Sequence, residues 1–176
     1  PFDALTPDVI LDAVEQQGWQ TSGHFLALNS YENRVYQIGI EDDAPIIAKF
    51  YRPARWTDSQ ILEEHSFTAE LLDQELPVVP PLQDADGQTL FRYGDFRFSL
   101  FPRRGGHAPP LDDDSCLESM GRWLARFHNV GAIRAFSARP SLTIESFGHQ
   151  SVAFLSDRFV PKDLLPAWQS ITRDLL

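Results

Sequence analysis

The sequence predicts an α+β chain: a five-stranded antiparallel sheet with one packed helix, a helix in front of it, and the beginning of a helical region behind it. Three observations carry this prediction. Short apolar runs at 25–28, 35–40 and 46–51 are separated by the polar turns 29–33 and 41–45. Two further runs, 89–93 and 96–101, flank the Gly94-Asp95 turn signal. From Cys116 to about Val130 the apolar period lengthens to that of a helix.

Each element has its own local cause. Thr6 is a candidate N-cap with Pro7 at the first helical position, Val9, Ile10, Ala13 and Val14 form an apolar stripe, and Gly18 stops it. The runs up to residue 51 read as a three-stranded meander. Between Asp58 and Leu76 the apolar positions Ile61, Leu62, Phe67, Leu71 and Leu72 have helical spacing, and Pro77 ends the pattern. Asp86-Gly87 is a second hairpin signal, and 89–93 should pair antiparallel with 96–101. The segment 102–110, with Gly105-Gly106 inside it, breaks the composition and is the expected hinge. Asp112, Asp113, Asp114 and Ser115 are explained as the cap and first turn of the following helix, where acidic residues suit the dipole, rather than as metal ligands. That helix carries Leu117, Met120, Leu124 and Phe127 on one face, and Gly131 ends it. Beyond Arg139 the expectation is a loop, a helix over 151–159 and a helical start near 163–168. The resulting organisation is 1–101 (leading helix and sheet lobe), 102–110 (hinge) and 111–176 (start of a helical lobe).

Composition narrows the function classes. The 176 residues are 43% hydrophobic, 23% charged and 12% aromatic, which excludes a disordered chain or a collagen. A formal charge of −10 opposes the phosphate neutralisation that nucleic-acid or anionic-membrane binding requires, so neither is an expected partner. No window approaches about eighteen consecutive apolar residues, the length of a spanning helix. The single cysteine, Cys116, allows neither an intrachain disulfide nor a cysteine zinc cluster, and a reducing cytoplasm fits. The missing initiating Met, and an end at Leu176 inside a helical pattern, lead to the expectation of a longer parent protein.

The most informative residue is Lys49. The chain has thirteen arginines but two lysines, and Lys49 lies in the strand 46–51, on one face with Ile47 and Tyr51. Two explanations are open at this point: a lysine guarding a sheet edge, or a fixed cation for phosphate, as in the Val-Ala-Ile-Lys strand of protein kinases that Ile46-Ile47-Ala48-Lys49 approximates. A cleft lysine needs a carboxylate. On the following helix Glu64 shares a face with Phe67, Thr68 and Leu71, so it is the inward candidate, whereas Glu63 lines up with Ser66 and Glu70 as well as Phe67. The turn Asn29-Ser30-Tyr31-Glu32-Asn33 contains no glycine. It is either a plain hairpin loop or a cover for phosphates acting through backbone N–H groups, the Ser30 hydroxyl or the Asn33 side chain.

The blocks 28–37 (LNSYENRVYQ), 49–53 (KFYRP) with Arg55-Trp56, and 60–65 (QILEEH) resemble the aminoglycoside/choline phosphotransferase branch of the protein-kinase-like fold. The resemblance runs to about residue 145 and fades beyond. It implies a kinase small lobe, with ATP and Mg2+ as cofactors. In it Lys49 would hold the α- and β-phosphates and Glu64 would align Lys49. Ser30, with Tyr31, Glu32 and Asn33, would cover the nucleotide, and the backbone of Leu100, Phe101 and Pro102 would meet the adenine edge. The block 121–128 (GRWLARFH) resembles the first helix of the large lobe. The family's His-x-Asp catalytic segment and its later metal-binding Asp have no counterpart, since Asn129-Val130 follow His128 and Gln150-Ser151 follow His149. The resemblance therefore implies that the proton acceptor and the magnesium ligands lie beyond Leu176, with no metal site in these residues.

The implied function is transfer of the ATP γ-phosphoryl to a protein serine or threonine by the complete protein, the present segment supplying nucleotide binding. Two alternatives stay open: a kinase acting on a small alcohol such as homoserine, choline or an amino sugar, and a nucleotide-binding module without catalysis. Other features are expected to be structural. The five histidines lack metal-ligand spacing, Arg103-Arg104-Gly105-Gly106-His107 reads as a solvated loop, and Trp19, Trp56, Trp123 and Trp168 are expected in or at the rim of a core.

Overall fold

The computed structural model describes residues 2–176. Thr6 caps α1 (Pro7–Glu15): its side chain accepts from the Val9 N–H, and Ile10, Ala13 and Val14 form the buried stripe. Three strands follow, β1 (Thr21–Leu28), β2 (Arg34–Ile40) and β3 (Asp43–Phe50), then α2 (Asp58–Asp73), β4 (Phe91–Tyr93) and β5 (Phe96–Pro102). They build one five-stranded antiparallel sheet in the order β1-β2-β3-β5-β4. It is the five-stranded antiparallel sheet with one packed helix that the sequence predicts.

The bounds differ from the periodicity in instructive ways. β1 begins four residues early because Gly23, at φ 76°, takes up a register shift between Thr21 and Phe25 that interrupts the alternation. β3 begins at Asp43 because the turn needs only Glu41 and Asp42, the latter at φ 56°. The polar residues 43–45 are therefore strand rather than turn. Asp86-Gly87 closes a turn held by the Asp84 carboxylate, which accepts from the Asp86 and Gln88 N–H groups, and the paired strand starts only at Phe91.

Alternation splits the sheet into two faces. Ile38, Ile46, Ala48, Phe50, Phe98 and Leu100 are buried with Ile10, Ala13 and Val14 of α1 in one hydrophobic cluster. Phe50 is its centre, stacked on Phe98 at 5.2 Å and edge-on to Phe96 at 6.5 Å. The other face carries α2. Thr57 and Gln60 form a reciprocal capping box at the start of that helix. Its first residue, Asp58, accepts from Arg97 and Arg92, each at 2.6 Å, which anchors it to β5 and β4.

After the exposed 103–110 segment, Asp113 caps α3 (Asp114–Gly131) by accepting from the Ser115 N–H, as the acidic cluster predicts. α3 contains no buried residue, so its apolar face, with Leu117, Met120 and Leu124, is largely exposed. Trp123, expected at a core or its rim, is exposed as well. Contacts along the backbone divide the chain into one unit through Ala138 and a second from Arg139 to Leu176. In the second, Thr143 caps a π-helical turn (Ile144–His149), where the sequence pattern shows only a loop, followed by α4 (Gln150–Arg158) and α5 (Leu165–Leu175). No described helix is long and apolar enough to cross a membrane.

Candidate active site

The α2 face of the sheet is built from the alternate residues of β3. Lys49 sits opposite Ser99 of β5 and Val35 of β2, and Ile47 sits opposite Phe101. β3 is an inner strand with partners on both edges, so Lys49 does not guard an edge. Its Nζ donates to Glu64 Oε1 at 3.2 Å, and the two side chains are 23% and 37% exposed. The ammonium also lies 4.9 Å from the centroid of the Tyr51 ring, whose negative face attracts it. A helix carboxylate and the aromatic ring just after β3 thus hold one cation from two sides.

Behind this cation runs a buried polar chain that the sequence reading missed. The Tyr51 hydroxyl bonds to His65 Nε2 at 2.8 Å and donates to Ser99 Oγ at 3.4 Å, and His65 Nδ1 bonds to Thr89 Oγ1 at 2.8 Å. His65 and Ser99 are both buried. The available signal was adjacency: His65 follows Glu64, and Tyr51 shares the Lys49 face. A histidine tested only for metal spacing does not reveal it. Among the described residues no group of three or more His, Cys, Asp or Glu side chains is placed to hold a metal ion.

Glu63, about 100° around the helix from Glu64, is engaged as well. Its carboxylate accepts from the Ser137 N–H at 2.6 Å, the Ser137 hydroxyl at 3.0 Å and the Ala138 N–H at 2.9 Å. Gln60 Nε2 donates to the Ala138 carbonyl at 3.0 Å. Adjacent glutamates therefore hold α2 on two sides, one through a cation of the sheet and one through backbone N–H groups after α3.

The 29–33 turn is ordered by its own side chains. Ser30 Oγ donates to the Asn33 carbonyl at 2.9 Å, and Asn33 Oδ1 accepts from the Arg52 N–H at 3.2 Å. The Glu32 carboxylate accepts from Arg55 Nε at 2.9 Å and Trp56 Nε1 at 2.6 Å. The Arg55 hydrogen bond, and after it that of Trp56, holds the Glu32 carboxyl below its ordinary pKa. Tyr31 stands fully exposed at the tip. The hydroxyl of Ser30 and the carbonyl oxygen of the Asn33 side chain, both expected to face a ligand, thus have partners inside the protein.

At the end of β5 the three expected hinge residues differ. The Leu100 carbonyl accepts from the Leu82 N–H at 2.7 Å, on the side away from β3. Since backbone groups alternate sides along a ladder, the N–H and C=O of Phe101 turn inwards to Ile47 of β3. In this register the Phe101 backbone faces β3, and the backbones of Leu100 and Pro102 face outward. The Phe101 side chain lies on the Lys49 face, edge-on to the His65 ring at 6.5 Å. Pro102 has no N–H and offers only its carbonyl.

Residues 24–173 match the model of the Phosphotransferase enzyme family. The chain belongs to that family. It is 39% identical over 176 residues to stress response kinase A of Escherichia coli O157:H7, which covers 99% of this chain and 53% of that protein. It is 41% identical over 146 residues to the serine/threonine protein kinase RdoA of Salmonella typhimurium (strain LT2), covering 83% of this chain and 44% of that one. The chain spans about half the length of the curated relatives it matches. Among solved structures, the amicoumacin kinase hAmiN in complex with AMP-PNP, Ca2+ and Ami superposes with a TM-score of 0.69 at 16% identity, over 93% of this chain and 53% of that one. A microcompartment-associated aminopropanol kinase superposes at 0.63 and 20% identity, over 86% and 55% of the two chains. These two likenesses carry the fold, which is that of the kinase-like phosphotransferases.

Proposed function

We propose that the full-length protein is an ATP-dependent serine/threonine protein kinase of the stress-response type, and that the sheet and α2 form its nucleotide-binding lobe. The observation that carries this is the Lys49–Glu64 pair, a strand ammonium 3.2 Å from a helix carboxylate in a chain of the phosphotransferase family. Bound ATP supplies the transferable γ-phosphoryl group, with magnesium as its counter-ion. Lys49 binds and neutralises phosphate oxygens through the N–H donors not directed at Glu64, and Glu64 fixes the direction of those donors. The 29–33 turn, with Tyr31 exposed at its tip and Ser30 closing it onto the Asn33 carbonyl, covers the phosphates. The side chain of Phe101, the outward N–H of Leu100 and the carbonyl of Pro102 line the place for the base.

The lobe boundary lies in 102–110, and residues from 111 onward begin the second lobe. The acceptor of the substrate proton and the magnesium ligands are assigned to the family's His-x-Asp segment and its later Asp, which have no counterpart in these 176 residues. The protein acceptor is favoured by the relatives, whose names include a serine/threonine protein kinase. A small-molecule acceptor is the second reading, favoured by the fold likeness to the amicoumacin and aminopropanol kinases. The deciding experiment incubates the full-length protein with radiolabelled ATP and either casein-like proteins or a panel of alcohols including homoserine, choline and an amino sugar. Label on protein serine or threonine is the expected result. Label on an alcohol alone replaces the acceptor, and no nucleotide binding at all removes the whole proposal.

A further inference from the structure

The 29–33 turn is fastened to the segment that leads into α2. Glu32 accepts from Arg55 and Trp56, and Asn33 accepts from the Arg52 N–H. The two donors to Glu32 form one platform, because the Arg55 guanidinium lies 4.6 Å from the Trp56 ring centroid. Trp56 directly precedes Thr57, the N-cap of α2, and Glu64 follows about two helical turns later. One continuous set of contacts therefore joins the turn to the start of α2, α2 to Glu64, and Glu64 to Lys49.

We infer that Glu32 is a positioning residue for nucleotide binding, stapling the phosphate-covering turn to the start of α2 through Arg55 and Trp56. The inference rests on the nucleotide-lobe reading given above and deepens it. Two features of this turn call for such a staple. A turn without glycine cannot approach phosphates by backbone freedom, so its position has to be set by side chains before the ligand arrives. An acidic residue in that turn would by itself repel a polyphosphate, and Glu32 escapes this only while Arg55 neutralises it and the Trp56 N–H holds its other oxygen. Folding alone is a weak reason for the pair, since Glu32 is 30% and Arg55 53% exposed and exposed ion pairs stabilise little.

The test measures the affinity of AMP-PNP with magnesium for the full-length protein by calorimetry, in the wild type and in Glu32→Ala, Arg55→Ala, the double variant and Lys49→Ala. The unfolding midpoint of each protein without nucleotide is recorded alongside. Glu32→Ala is expected to weaken binding roughly tenfold, since a turn no longer pre-organised must be ordered when the ligand arrives. Arg55→Ala leaves the carboxylate bare and should weaken binding at least as much. The double variant should return to the level of Glu32→Ala rather than sum the two losses. Unchanged affinity in the Glu32 and Arg55 variants, with Lys49→Ala weakened, overturns the staple and leaves the nucleotide lobe standing. Wild-type protein that binds no nucleotide overturns both. An affinity loss matched by an equal loss of stability without nucleotide assigns Glu32 to folding and also overturns the inference.

Discussion

On β3, Ile46, Ala48 and Phe50 face α1, whereas Ile47 and Lys49, with Tyr51 just beyond the strand, face α2. The α1 face is a continuous apolar cluster, with polar contact only at its rim, where the Tyr93 hydroxyl donates to Asp12. The α2 face holds a cation, a carboxylate and the Thr89–His65–Tyr51–Ser99 chain, partly open to solvent around Lys49. One strand thus supplies both the rigidity of the lobe and its charge, one residue apart. The difference shows why the leading helix matters: with α1 closing one face, the other is free to carry groups that a core could not pay for in desolvation.

The contrast is broken most severely at Phe50. Phe50→Ala opens a cavity between α1 and the sheet and should destabilise the protein by about 3–5 kcal/mol, measured by chemical denaturation of the full-length form. A loss below about 1 kcal/mol would mean that this face is not the core. Lys49→Ala is its mirror image. It should lower phosphoryl transfer by at least about 10²-fold, the scale of losing one fixed electrostatic contact to the reacting group. Its stability should change by less than about 1 kcal/mol, because the pair it breaks is partly exposed. A folded Lys49→Ala variant with near-normal turnover would remove Lys49 from the site.

His65 sharpens the comparison from the other side. It belongs to the chemical face yet is as buried as the core. Replacing it by Leu preserves volume but removes its bonds to Tyr51 and Thr89, and should cost about 1–3 kcal/mol. If the Tyr51 ring also steadies Lys49, the folded variant will bind AMP-PNP more weakly than wild type. Normal affinity would make the buried chain purely structural.

Much of this architecture was legible from residue patterns. Alternation through 46–51 marks Lys49 as a charge among apolar neighbours, and steps of three, four and seven mark Glu64 as the inward acid. The parts that were not legible depend on contacts between distant segments. Glu63 looks outward by helical spacing, and only the backbone at Ser137 and Ala138 gives it a role. Asn33 and Ser30 look available for a ligand, but the side-chain carbonyl of Asn33 meets Arg52, nineteen residues on, and Ser30 closes on its own turn. Phe101 lies at the end of β5, and the side to which its backbone turns could not be read in advance, because ladder parity is fixed by a pairing partner and not by composition. Capping signals at Thr6, Thr57 and Asp113 were local, and two of the three, Thr6 and Asp113, were recognised from sequence.

The smallest effect tests how α2 is anchored rather than what it carries. Asp58 is held by Arg97 first and Arg92 second, and these hydrogen bonds lower its pKa from the ordinary 3.8. A carboxyl whose pKa is lower in the folded state stabilises the fold fully above its unfolded value and loses that contribution as the pH falls through the folded one. Asp58→Asn should therefore be less stable than wild type at neutral pH, by under about 1 kcal/mol because Asp58 is 43% exposed and screened. The gap should be constant down to about pH 3.8 and close below it, where wild-type Asp58 takes up its proton. Urea midpoints of the two proteins across the acid range check this. A gap that stays the same through the whole range would show that the helix start is held by its Thr57–Gln60 cap and not by the charge that ties it to the sheet.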